Sequence, residues 1–308
     1  TAKSFENALM VLLAIGGSTN ALIHLAAIAG RMGIKLDMEA FDALSRTIPV
    51  IVDLKPSGEG YMEDLYKAGG LPRILLELKD KLHLDVSTVT GKTLGQTIEE
   101  TEFSWQQTIV KSAADPIYRE GGMAVLKGNL APNTAIIKQS AASDSLLTHS
   151  GRAVVFDGLE DLANRIDSEE LDVYKEDILV LRYIGPKGAP GMPEAGLIPI
   201  PKKLARQGVK DMVRISDGRM SGTASGTIIL HVCPEAADGG PLALVQTGDK
   251  ISLDVNTRSL HLHVEDSELA SRRETLDLSR FIAKRGYHKL YMEHVLQADE
   301  GVDFDFLV

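Results

Sequence analysis

The chain has 308 residues, 44% hydrophobic and 25% charged, enough apolar mass to expect two domains. A formal net charge of −10 argues against a nucleic-acid partner, which needs clustered Lys and Arg, but leaves an anionic small substrate open, since local metals can reverse a global field. With a single cysteine, Cys233, the chain can neither close an internal disulfide nor supply the several thiolates of an iron–sulfur cluster. No apolar run is long enough to span a bilayer, and the start lacks a secretory pattern, so a soluble, cytoplasmic protein is expected. The direct opening into a helical pattern suggests a cut through a longer protein.

In chain order, Phe5, Ala8, Leu9, Leu12 and Leu13 share one helical face, with Ser4 as candidate cap, until Gly16 and Gly17 break the run. Ser18, Thr19 or Asn20 can cap a second helix carrying Leu22, Leu25, Ala26 and Ala29. IPVIVDL, residues 48–54, is short and β-branched and predicts a buried parallel strand. GYMEDLYKAGG and LPRILLELKDK predict two further helices, the second with Pro72 in its first turn. Residues 1–105 therefore have the texture of part of an α/β domain.

After about Ser104 the texture becomes short strands: MAVLKGNL, TAIIK, AVVF, ILVLRY, MVRIS, TIILHV, ISLDV and LHLHV. The last two alternate apolar and polar residues across Asn256 to Ser259, a hairpin signature. Residues 106–308 are thus expected to form a β-barrel-like domain, with one helix near Leu159 to Ile166 and a terminal helix near Leu290 to Ala298. The boundary is expected between Thr101 and Pro116.

Two loops carry chemical potential. ISDGRMSGTASG, residues 215–226, runs from a strand into glycine-punctuated backbone that lets a ligand approach the main chain. It reads equally as a polar turn between barrel strands. A free serine hydroxyl is too weakly acidic to act as a base unless a metal or backbone amides hold its anion, and no G-x-S-x-G elbow surrounds Ser221. GPKGAPGMPE, residues 185–194, forms a tight loop at the end of ILVLRY and delivers one carboxylate, Glu194. That carboxylate suits a hard cation such as magnesium, and equally a solvated surface.

With GGSTNALIHLAAIAGR (16–31), DLKPSGEGYMEDLYKAGGLP (53–72), GGMAVLKGNLAPNTAIIK (121–138) and SDGRMSGTASGTIILHVCPEA (216–236), these loops make the chain resemble the dihydroxy-acid, sugar-acid and phosphogluconate dehydratase family along essentially its whole length. The resemblance implies an α/β domain joined to a smaller β-barrel domain. It implies Ser221 as the alkoxide that removes the substrate's α-proton, Gly222 and Thr223 in contact with substrate, and Glu194 as a magnesium ligand. The family's other metal ligands and its cluster cysteines are expected in an upstream segment, and Cys233 matches no cluster-ligand position. In the implied mechanism magnesium binds the substrate carboxylate and α-hydroxyl, while a cluster iron acts as Lewis acid on the departing β-hydroxyl.

Weaker features carry two readings each. The Gly16 to Asn20 turn could cradle an anion but reads more simply as helix punctuation, and is left outside the site. His24 reads as a core residue; His261 and His263 share a strand face that could grip a metal but reads better as solvated. The acidic-aromatic ending resembles that of the sugar-acid branch, which places His294 beside substrate or on a surface helix. The expected function is a hydro-lyase for an aldonic acid of the pentonate type, using an iron–sulfur cluster and Mg2+, inactive as this segment alone and assembled as a homo-oligomer. The alternatives are dihydroxy-acid dehydratase of branched-chain amino acid synthesis and a non-catalytic, cluster-less module.

Overall fold

The protein is described by a computed structural model covering residues 1–222 and 224–308. Six helices occupy the first hundred residues: α1 (Ala2–Ala14), α2 (Thr19–Gly30), α3 (Met38–Ser45), α4 (Met62–Ala68), α5 (Gly70–Glu77) and α6 (Leu94–Glu99). Thr1, not Ser4, caps α1: its hydroxyl accepts from the Ser4 amide at 3.3 Å. Ser18 caps α2, its Oγ accepting from the Asn20 amide at 3.2 Å. Leu9, Leu12 and Leu13 of α1 and Leu22 of α2 enter one buried cluster with Phe41, Ile51 and Ile74.

Residues 48–54 do not form the expected parallel strand. The segment is buried and extended, but Val50 and Val52 make only isolated antiparallel bridges to Tyr118 and Val110. The facing segment turns between Ser112 and Asp115 and then meets Pro116, which lacks a donor, so no continuous ladder can form. The Ile51 amide is satisfied instead by the Ala14 carbonyl at the end of α1 (2.9 Å).

The second part is a mixed eight-stranded sheet: β1 (Ala124–Leu126), β2 (Thr134–Ile137), β3 (Thr148–Asp157), β4 (Ile178–Arg182), β5 (Arg214–Ser216), β6 (Ile228–Cys233), β7 (Lys250–Asp254) and β8 (Ser259–His263), in the order β1-β2-β6-β5-β4-β3-β7-β8. The Lys127 amide donates to Arg258 O (2.9 Å) and Leu260 N donates to Lys127 O (2.8 Å), so the outermost strands meet and nearly close a barrel. Gly128 permits this closure, because a Cβ there would lie 2.0 Å from Leu260 O. The α/β class with a barrel-like second part is thus observed, and the β7–β8 hairpin has the antiparallel register its alternation predicts.

Side chains alternate across the barrel wall. Ala124, Ile137, Val155, Val180, Ile215, Ile229 and Leu262 fill the interior. On the outside, Val154, Phe156, Leu179 and Leu181 pack with Leu162 of α7 (Gly158–Arg165), while Val125 and Ile136 join the helical core. The four central strands β3, β4, β5 and β6 run parallel. Three further α-helices follow, α8 (Lys202–Ala205), α9 (Asp266–Glu274) and α10 (Gly286–His294). Among the described residues no helix is long and apolar enough to cross a membrane.

His231 sits where the β2–β6 register slips by one residue, with φ of 53°. Its ring is 2% exposed, and its Nε2 has no partner among the described residues. Burial, helped by the Arg219 charge, pulls its pKa from 6.5 to about 3. The fold therefore holds it neutral, whereas the unfolded chain protonates it below its ordinary value of 6.5, so stability is lost as pH falls from there towards 3. Glu235, lifted by burial from 4.5 to about 7, acts in the opposite sense, gaining stability as pH falls through that interval. Comparing His231→Asn, which tolerates left-handed backbone, with the parent isolates the histidine. Between pH 6.5 and 5 the variant should lose roughly 2 kcal/mol less stability than the parent in urea unfolding, from ~1.4 kcal/mol per pH unit. Equal losses would show that His231 protonates inside the fold.

Candidate active site

Because β4 and β5 are parallel neighbours, the loops that follow them leave the sheet at the same edge, where ligands collect in parallel α/β sheets. The loop after β4 carries Glu194 and the loop after β5 carries Ser221. Two buried carboxylates root them. Asp217, 1% exposed, accepts from the amides of Tyr183, Ile184 and Ala236, each at 3.0 Å. Glu235 accepts from Lys187 N (2.8 Å), Gly188 N (2.9 Å) and Gln297 Nε2 (3.0 Å). Burial raises the pKa of both, for Glu235 with a second contribution from the Asp217 charge.

The loops are also joined at their tips. Arg219 Nε donates to the Met192 carbonyl, and Gly196 N donates to Arg219 O at 2.7 Å. The decisive link comes from α2. Asn20 Nδ2 donates both to Glu194 Oε1 and to the Met220 carbonyl (3.1 Å), so one amide spans the carboxylate and the residue before Ser221. Asn20 is 7% exposed, and its Oδ1 has no partner among the described residues. Ser18 lies against Gly222. The Gly16 to Asn20 turn, left outside the candidate site on sequence grounds, contacts both loops; its spacing reads as a helix cap because Ser18 is one, and only the fold brings it to them.

The ending of the chain reaches the same edge through a residue other than His294. Tyr291 Oη accepts from Gly191 N (2.8 Å) and donates to Pro186 O (3.0 Å), tying α10 to the Glu194 loop. His294 pairs with Asp305 through Nδ1 (2.9 Å) and lies edge-on to Phe306. A neighbouring cleft of about 560 Å³ runs between α2, Met192, Arg219 and Val302, bridged by Arg31, which holds Asp303 at 2.5 and 2.8 Å. His24 is exposed and lines this cleft, in contrast to its expected core position: the buried face of α2 is set by Leu22, Ile23, Ala26 and Ala29. His261 and His263 are exposed on β8, His263 bonding Ser252. Thr223 lies outside the described residues.

The donor set tests the implied cofactors. Glu194 is exposed and engages Asn20 through one oxygen, which fits a single carboxylate contribution to a hard cation. Among the described residues no group of three or more His, Cys, Asp or Glu could hold a metal by itself. The one thiol does not fit an iron–sulfur cluster: Cys233 is 1% exposed, packs with Ile23, Met192 and Ala298, and burial pushes its pKa well above its ordinary 9.0.

The contact of α2 with the Ser221 loop can be tested by volume. A Cβ at Gly222 would lie 2.8 Å from Ser18 Cβ and 2.9 Å from its Oγ. Gly222→Ala should displace the loop and lower stability by roughly 1–3 kcal/mol, as overpacking does, and adding Ser18→Gly, which as an N-cap costs only a few tenths of a kcal/mol, should restore most of it in urea unfolding. A Gly222→Ala protein of unchanged stability would mean that the two segments separate freely.

The chain matches two family models, the dihydroxy-acid/6-phosphogluconate dehydratase N-terminal model over residues 1–97 and the corresponding C-terminal model over residues 108–302. It is 50% identical over 317 aligned residues to an L-arabonate dehydratase of Azospirillum brasilense, covering 100% of the chain and 54% of that protein. It is 48% identical over 309 residues to an L-arabinonate dehydratase of Rhizobium leguminosarum bv. trifolii, covering 100% and 53%. To a dihydroxy-acid dehydratase of Methanococcoides burtonii it is 43% identical over 307 residues, covering 98% and 54%. The chain thus spans about half the length of the curated relatives it matches. With both models aligned along a chain whose two signature loops share one sheet edge, the protein belongs to the dihydroxy-acid/6-phosphogluconate dehydratase family.

Proposed function

We propose that this chain is the carboxyl-terminal half of a hydro-lyase that converts an aldonic 2,3-dihydroxy acid to a 2-keto-3-deoxy acid. The observation that carries the reading is the Asn20 bridge, which holds Glu194 and the residue before Ser221 at one edge of the barrel. Ser221, as its alkoxide, takes the proton from the substrate's α-carbon onto its Oγ; the β-hydroxyl leaves with the C–O electron pair and, protonated from solvent, becomes water; the resulting enol tautomerises to the 2-keto acid. A magnesium ion held in part by Glu194 would supply positive charge beside the developing anion. Asn20 fixes the carboxylate and holds the Met220 carbonyl, which immediately precedes Ser221. Gly222 and Thr223 flank substrate, Thr223 positioning rather than reacting, and His294 is assigned to the substrate-facing tail. An iron–sulfur cluster, with ligands outside this segment, a cytoplasmic location and a homo-oligomer complete the proposal.

A sugar acid is favoured over a branched-chain dihydroxy acid because the arabonate and arabinonate dehydratases are more similar to the chain than the dihydroxy-acid dehydratase is. Full-length protein should dehydrate a pentonate faster than dihydroxyisovalerate, since a site built for hydroxyls rejects an analogue that leaves its groups unpaired; the reverse order would assign the branched-chain substrate.

In that protein Ser221→Ala should abolish exchange of the α-proton with solvent while leaving substrate affinity nearly intact, because a lost base acts on the transition state. Glu194→Gln should weaken magnesium binding more than it changes the melting temperature. Retained proton exchange in Ser221→Ala would return residues 215–226 to a plain inter-strand turn.

A further inference from the structure

Lys138 is 3% exposed, a burial that lysine rarely reaches without a partner. Its ammonium makes no hydrogen bond or ion pair among the described residues. Its place in the fold gives the reason. Ile136, two residues earlier, pairs with Leu230, which packs with Ile228 and Met220 immediately before Ser221. Lys138 continues that outer face past the end of β2. The next turn is fastened on both sides: Ser140 Oγ lies 3.0 Å from Ser57 Oγ and 3.3 Å from the Cβ position of Gly16, and Ala141 O accepts from Gly226 N at 2.8 Å. Lys138 therefore stands between the turn that begins α2 and the loop that carries Ser221.

We propose that Lys138 is an anion-binding residue of this site, whose ammonium receives the carboxylate of the acid substrate. The inference rests on the dehydratase reading above. Burial lowers the lysine's pKa to about 8, which leaves it mainly charged near neutrality. The ammonium is not among the fully buried unpartnered polar atoms, so the tip of an otherwise buried side chain reaches solvent while most of its hydration is removed; a carboxylate arriving from solvent supplies the opposite charge and the acceptors that this setting lacks.

The test uses full-length enzyme with a pentonate. Lys138→Met keeps the length of the side chain and removes the charge, so its melting temperature should be equal to or above that of the parent. Its KM, and its calorimetric Kd for the pentonate, should rise about tenfold or more with a smaller change in kcat, as expected for a contact made in ground and transition states alike. Cluster absorption and magnesium content should stay unchanged, and Lys138→Arg should recover part of the affinity. Unchanged KM and Kd in Lys138→Met would overturn the assignment, as would a variant that unfolds or melts lower, since either result makes the lysine structural. If the parent binds the pentonate but does not dehydrate it, the dehydratase reading fails while weaker binding by Lys138→Met still supports the lysine; if the parent binds no acid, both fail.

Discussion

Two carboxylates buried beneath the barrel edge set the geometry on which the site depends. Asp217 and Glu235 between them take up the amides of Tyr183, Ile184, Lys187, Gly188 and Ala236. Without them, loops so rich in Gly and Pro would leave buried donors unpaired and would have no fixed exit from the sheet. The cost of burying two neighbouring acids appears as raised pKa values, and the Glu235 carboxyl titrates near neutrality as a result. These acids are scaffolding: their oxygens are committed to backbone amides and, for Glu235, to Gln297 Nε2, whereas the Glu194 carboxylate is exposed.

Parallel pairing then converts two separate motifs into one place. Along the chain Glu194 and Ser221 are separated by the short helix α8 and by β5. Since β4 and β5 run in the same direction side by side, the distance between their loops is set by the spacing of adjacent strands rather than by the intervening chain. Asn20 completes the arrangement from the helical layer, so the site draws on three segments that meet only after the barrel has docked on α1 and α2.

Much of this was legible in the residues, for identifiable reasons. The strands announce themselves by apolar or strictly alternating runs, although the ten-residue β3 shows only its AVVF part because its first half, THSGR, is polar, and the two loops stand out because glycine and proline are costly unless a shape requires them. Residues 48–54 misled because β-branched apolar composition reports burial, whereas a ladder also requires an uninterrupted partner, which Pro116 denies. His24 misled because its sequence neighbours are apolar while its own position on the helix faces outward. Asn20 and Tyr291 carried no sequence signal of their contacts: a helix-cap residue and a helical aromatic are ordinary in isolation and become specific only through residues more than 100 positions away.

The helix α2 has a further consequence for how this chain can vary. Its first turn is fixed by Ser18 and Asn20 to the two loops, while its far end is fixed by Arg31 to Asp303 and by close packing of Ala27 on Gly301. One residue added between those points would turn everything beyond it by about 100° and advance it by about 1.5 Å, so either the first attachment or the second would face the wrong way. Length, more than composition, is therefore the quantity that this helix must conserve: its exposed positions can drift in residue type, but insertions and deletions are barred from the twelve residues it contains.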